Sequence, residues 1–306
     1  MTRTFDLPFS SRHLSRTALS VVASCFALAA VSAHAADPSG ASALKSRFTE
    51  LSAALAHNPY KRPLVMNSSE SGSVLKGDIY ATVDHPFVQV EGALSGSEHW
   101  CDVLMLHLNT KFCQTDGNAD GAVLDVRIGK KYDQPIEDAH RVNFTFRQGA
   151  ATPDYFVSRL EAKKGPLGTS DYRIALEAAP VMGNKTFIHL TYSYAYGFAS
   201  KLAMQGYLAT VGSDKVGFSS VRRGDGTNEL IGGMRGVVER NTMRYYLAID
   251  AYLNALSAPP AEQLDKRLAG WFAATEEFPR QLHELDRTEY MTMKRNEVQR
   301  EKAPAQ

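Results

Sequence analysis

The chain has 306 residues, 34 basic against 33 acidic, with 44% hydrophobic side chains. That length suffices for a sizeable core, as one large domain or one domain with an appendage. The near-neutral balance gives no overall electrostatic footprint for nucleic acid or for an acidic membrane surface.

Residues 1–35 have the layout of a secretory leader. Arg3, Arg12 and Arg16 form a basic start, "TALSVVASCFALAAV" (17–31) is an apolar run short for a bilayer span, and Ala33 and Ala35 are the small residues that a signal peptidase needs. Cleavage is expected near Ala35/Ala36, giving a periplasmic or secreted protein. "VASC" (22–25) matches a lipid-attachment pattern, but apolar residues follow Cys25 where a polar mature start belongs. Without the leader, 31 basic and 32 acidic residues remain.

Two cysteines then remain, Cys101 and Cys113, inside "EHWCDVLMLHLNTKFC". In an oxidising compartment an even pair favours a disulfide. Twelve residues span about 18 Å as helix and about 40 Å as strand, whereas bridged Cα atoms lie roughly 4.4–6.8 Å apart. The chain must therefore turn back, and a helix capped at Ser95 or Ser97, a reversal near 107–109 and a returning strand would do this. The alternative is zinc on His99, Cys101, His107 and Cys113, at a spacing that matches no common zinc pattern.

In chain order, Leu44, Phe48, Leu51 and Leu55 mark an amphipathic helix over 41–57. "PLVMNSSES" and "GDIYATV" read as one strand with a Gly/Ser interruption, and 84–106 as two short helices. Six strand-like runs follow, at 108–114, 121–129, 141–147, 155–163, 170–179 and 186–196. In several of them apolar and polar residues alternate, so one face of the meander is apolar and the other wetter. The last third is helical: 198–209, a Gly-punctuated connection over 215–233, a long helix 234–256, a break at Pro259–Pro260, then one helix in 261–278 and one over 279–301.

One strand, two short helices, six strands and a long helix is an order that resembles the START-like (SRPBCC, helix-grip) superfamily, here as a secreted bacterial member. "DHPFVQVEGALSGSEHWCDVL" looks like that family's opening, with an acidic residue, a Pro, an amphipathic helix and an aromatic starting the second helix. The resemblance implies an α+β fold in which a curved antiparallel seven-strand sheet grips a long C-terminal helix. It covers about 63–256, with 36–62 an N-terminal helix, 257–300 an extra helical extension and 301–306 a disordered tail.

The resemblance also implies a cavity between sheet and long helix. Its expected walls are Phe112, Val126, Phe144, Phe146, Ile174, Leu176, Leu190, Tyr192 and Tyr194, although the same stripe would equally fill a solid core. On the long helix Arg240 and Arg244, beside Tyr245, sit four apart and suit a carboxylate or phosphate head group, or else bridge to an acid such as Glu177. Arg235 and Glu239 make a second such spacing. "DGNADG" (116–121) matches half a calcium loop, but Arg127 stands where the bidentate Glu belongs, so a hairpin loop is expected. No nucleophile elbow, zinc-protease, phosphate-loop or dinucleotide motif occurs. The reading is therefore a carrier of an apolar or amphipathic small molecule, with no metal or cofactor called for. Against it stand a cyclase- or hydrolase-type enzyme in the same pocket, and an assembly protein with a partner surface at Trp271, Phe272, Phe278, Tyr290 and Met291.

Overall fold

The structure, a computed structural model, describes residues 38–302 apart from 211–213, 223 and 225. The leader, its cleavage point and residues 303–306 lie outside these. Helix α1 (Pro38–Ala56) is followed by β1 (Leu64–Ser71) and β2 (Val74–Val83). The stretch expected as one interrupted strand is thus a hairpin. Ser71 faces Val74 across a two-residue turn whose first member, Gly72, has φ +59°, the position where such a turn calls for glycine.

Helices α2 (Phe87–Leu94) and α3 (Trp100–Leu104) come next. A meander follows of β3 (Thr110–Thr115), β4 (Val123–Ile128), β5 (His140–Thr152), β6 (Tyr155–Lys164), β7 (Thr169–Val181) and β8 (Lys185–Tyr196). All eight strands form one antiparallel sheet in the order β1-β2-β8-β7-β6-β5-β4-β3. The sheet therefore has eight strands and not seven.

After β8 the chain forms α4 (Phe198–Ala209) and a small hairpin of β9 (Ser220–Arg222) and β10 (Asn228–Leu230). The long helix α5 (Gly233–Ala255) then packs on β1, β2 and β8. Gly77 of β2 permits the approach: a Cβ there would come within 2.2 Å of the Thr242 hydroxyl on α5. α6 (Pro260–Glu276) lies against α5, with the Trp271 indole donating to the Arg244 carbonyl at 3.1 Å. A helix with sheet on one side and helix on another is buried nearly all round, and sixteen residues of α5 are.

The segment expected as a single last helix is broken into α7 (Pro279–Leu282) and α8 (Arg287–Lys302). Asp286 starts α8 by a reciprocal cap. Its carboxylate accepts from the Glu289 N–H at 2.9 Å, and the Glu289 carboxylate accepts from the Asp286 N–H at 3.4 Å. α8 also carries residues 301 and 302, expected in a tail. Its inner side is bound to β3 by a buried ion triad, in which Glu297 accepts from Lys111 at 2.9 Å and from Lys294 at 2.5 Å. Lys294 further donates to the carbonyls of Thr110 and His107. Trp271, Phe278, Tyr290 and Met291 are buried in the same core and Phe272 packs against it, so this aromatic set faces inward and offers no partner surface.

On the opposite face of the sheet, α1 lays Leu44, Phe48, Leu51 and Leu55 over Tyr155, Val157, Ala179 and Phe187. Beside this contact His189 lies between Asp78 (2.8 Å) and Glu177 (3.3 Å), its ring stacked on Tyr80 with centroids 4.1 Å apart. Glu177 is thus the partner of a histidine and not of the α5 arginines.

Cys101 of α3 and Cys113 of β3 are disulfide-bonded, with Cα atoms 5.2 Å apart. The expected helix, reversal and returning strand achieve this. Ser97, however, donates to the Gly117 carbonyl and the N-cap of α3 is His99.

Candidate functional site

The apolar face of the sheet is filled unevenly. α2, α3 and α5 seal one stretch, and there Val126, Phe144, Phe146, Ile174, Leu176 and Leu190 are fully buried core. Phe112 is half-buried between the fully buried Lys111 and Cys113 and does not reach the cavity wall. The first six are therefore not brought to this cavity because helices occupy the space in front of them, and Phe112 stands outside that core.

The stripe opens where it turns to tyrosine. A cavity of about 730 Å³ lies between the ends of β7 and β8, the β4–β5 and β6–β7 connections, α4, α5 and the α7–α8 link. Tyr172, Tyr192 and Tyr194 form its wall, with Tyr132 and Leu167 at the connections, Met204 on α4, and Val237 and Asn241 on α5. Of the expected residues, Tyr192 and Tyr194 are here. Tyr245 backs the wall, its ring 5.1 Å from that of Tyr192. Tyr172 stacks on Tyr194 with centroids 5.3 Å apart and donates to the Thr169 hydroxyl at 2.8 Å. Such aromatic pairs hold one another rigid and give the cavity an apolar body with hydroxyl tips.

Burial, reinforced by the neighbouring phenols, pushes Tyr192 well above the usual phenol value, and burial raises Tyr172, Tyr194 and Tyr245 as well. All four therefore stay neutral at ordinary pH. Asn241 shares the cavity wall with Tyr192. An ion-pair relay adjoins it: Arg244 donates to the Asn241 side-chain oxygen Oδ1 at 3.3 Å and to Glu284 at 2.8 Å, and Glu284, itself on the cavity wall, also pairs with Lys131 at 2.7 Å. Burial works against the Glu284 charge, but Arg244 and Lys131 hold its carboxyl below the usual range.

The expected arginine anchor is thus placed elsewhere. Arg244 braces the wall from behind, and Arg240 is buried and donates to the Val216 carbonyl. Arg235 binds Ser68 while Glu239 accepts from the N–H groups of Phe218 and Ser219, so these two do not pair with each other. The cations on the cavity wall are Lys130 and Lys131. Sequence periodicity could not find them, because they sit in a connection. The "GKKYDQP" run (129–135), two lysines and a tyrosine between turn formers, was the available signal.

His107 is buried, stacked on Tyr245, and accepts the Asn109 N–H at Nδ1. Burial together with Arg244, Lys294 and Lys131 drives it well below its ordinary value, so it is neutral. His99 is part-exposed beside Asp102. "DGNADG" is the β3–β4 connection, where Asp116 accepts from the Val123 N–H and Asp120 from the Gln148 N–H. A second concavity of about 750 Å³ on the other face of the sheet is walled by Arg141, Arg147, Arg173 and polar neighbours. Those arginines pair with Asp125, Asp120 and Glu161 respectively.

No protein-family model and no curated protein matches the sequence. Among solved structures, norcoclaurine synthase from Thalictrum flavum is similar at 15% identity and a TM-score of 0.32, over 47% of this chain and 90% of that one. Ara h 8.0201 is similar at 11% identity and 0.31, over 45% and 91%. A conserved protein of unknown function from Enterococcus faecalis is similar at 6% identity and 0.31, over 86% and 96%.

Proposed function

We propose that this is an exported carrier or sensor that binds an apolar or amphipathic small molecule in the tyrosine-walled cavity. The observation that carries the reading is the cavity itself: aromatic walls for the ligand body, with Asn241 and Lys131 at the polar end. A volume of about 730 Å³ falls within the range of small-molecule sites. What favours a carrier over acid–base chemistry is the direction of the shifts. An efficient proton-transfer group titrates near working pH, whereas burial moves these phenols away from it. Export is supported by the leader-like residues 1–35 and by the disulfide.

The test is to purify the exported protein natively, extract it with organic solvent and identify bound molecules by mass spectrometry. The expected result is a stoichiometric amphipathic compound and a mature N-terminus at Ala36. A Val237→Trp variant, which fills the cavity, should lower the affinity for a fluorescent fatty-acid probe by about tenfold or more. An empty protein that ignores the probe would overturn the reading.

A further inference from the structure

The polar end of the tyrosine-walled cavity carries a surplus of positive charge. Lys130 and Lys131 reach the wall from the β4–β5 connection, and Glu284 is the acid that shares that wall among the described residues. Glu284 is engaged twice already, by Lys131 at 2.7 Å and by Arg244 at 2.8 Å. Burial opposes its charge, and Arg244, Lys131 and Lys215 together hold the carboxyl below its usual range. Asp133, two residues beyond Lys131, is drawn away to Arg300 at 2.7 Å. Lys130, Lys131, Arg244 and Lys215 thus stand against one carboxylate at this end.

The connection that presents the two wall lysines is firmly braced. Gly129 exchanges two hydrogen bonds with Asn109: its N–H donates to the Asn109 carbonyl at 2.7 Å, and Asn109 Nδ2 donates to the Gly129 carbonyl at 2.6 Å. The buried Gln134 side chain accepts from the Lys130 N–H at 2.6 Å, and Arg300 donates to the Gln134 carbonyl at 3.1 Å. A Cβ on Gly129 would come within 2.6 Å of the Gln134 side chain, so the chain returns on itself in close contact. Charges held in place this way lose little freedom when a ligand arrives.

The neighbouring polar groups on the wall are donors. Asn241 Oδ1 accepts from Arg244, which leaves the amide NH2 for its other neighbours. The Tyr194 hydroxyl stands on the wall of a residue only 5% exposed and makes no hydrogen bond among the described residues. Burial keeps it protonated, hence able to donate.

We infer that the cargo of this cavity is an amphipathic carboxylate, its anion seated at Lys130 and Lys131 and its apolar body along the tyrosines. A carboxylate meets ammonium and N–H groups in charge-assisted hydrogen bonds. An amine would find Glu284 already taken, and an ester would leave the cationic surplus unmatched. This rests on the carrier reading and narrows it to one ligand class.

The test is to titrate the mature, disulfide-bonded protein with cis-parinaric acid, a fluorescent fatty acid, and with its methyl ester. The acid should bind more tightly by about tenfold or more. Lys131→Met should cut the acid's affinity by about tenfold and leave the ester's within about twofold. Arg244 still holds Glu284 in that variant, so the fold is not at stake. Lys163→Met, exposed on the other face of the sheet, should change neither affinity. The inference is overturned if Lys131→Met weakens acid and ester alike, if Lys163→Met lowers the acid's affinity as much, or if octadecylamine displaces the probe better than stearate does. Equal binding of acid and ester, lost in Val237→Trp, would overturn it and leave the carrier reading standing. Binding of neither would overturn both.

Discussion

Glu297 is the one acid between two fully buried ammonium groups. Replacing it with glutamine leaves Lys111 and Lys294 as uncompensated buried charges, which costs on the order of 3–5 kcal/mol. Lys111→Met leaves a neutral Lys294–Glu297 pair and should cost clearly less; urea denaturation of the two variants checks the order. Lys294 also makes a pH prediction. Burial holds it down at about 8 from its ordinary 10.5. The unfolded chain therefore binds the extra proton between these values, and stability contributed here rises with pH across that window. Lys294→Met should remove this dependence. At the cavity, neutral phenols predict a ligand affinity that does not change between roughly pH 6 and 8 through Tyr192 or Tyr194, which probe titration at both ends would check.

At the scale of elements, the seat of α5 on β2 depends on the absence of a side chain at residue 77. Gly77→Val forces the Thr242 hydroxyl aside, and overpacking of this kind costs about 1–3 kcal/mol; a shifted denaturation midpoint at unchanged slope is the expected readout. On the other face, burial opposes the His189 charge, but hydrogen bonds that the ring donates to Asp78 and Glu177 hold the imidazole above its ordinary 6.5. Its contribution is therefore fully present below about 6.5 and is lost as pH rises through the raised folded value. Asp78 and Glu177 are held low, so their share is lost in acid. The thermal penalty of His189→Gln should accordingly be larger at about pH 5.5 than at about pH 8. Element boundaries were legible wherever the pattern was local. The alternation in β4 and β8 and the apolar stripe of α1 mark those elements within a few residues, whereas β5 runs on to Thr152 past the expected end at 147. The β1–β2 hairpin is hidden in the pattern, because Gly72 and Ser73 look the same whether they interrupt one strand or turn between two. The α7–α8 break has its signal in "DRTE" (286–289), a capping box inside a run whose apolar spacing otherwise continues as one helix.

At the scale of the whole molecule, closing the loop between Cys101 and Cys113 should be worth about 3 kcal/mol by its length, so replacing both cysteines with alanine should lower the unfolding free energy from urea denaturation by about that amount. The sequence by itself determined the α+β class, the meander, the long helix after it and the pairing of the two cysteines, because each is carried by local periodicity or by a short chain length. Only the tertiary structure decided which part of the apolar stripe is core and which is cavity. That depends on where α2, α3 and α5 come to rest, and the pattern is the same at Ile174, which is sealed, as at Tyr192, which is on the wall. It also decided what α5's arginines do. Two guanidiniums four residues apart look alike on the sequence whether they meet a ligand or, as Arg244 does, a glutamate forty residues away.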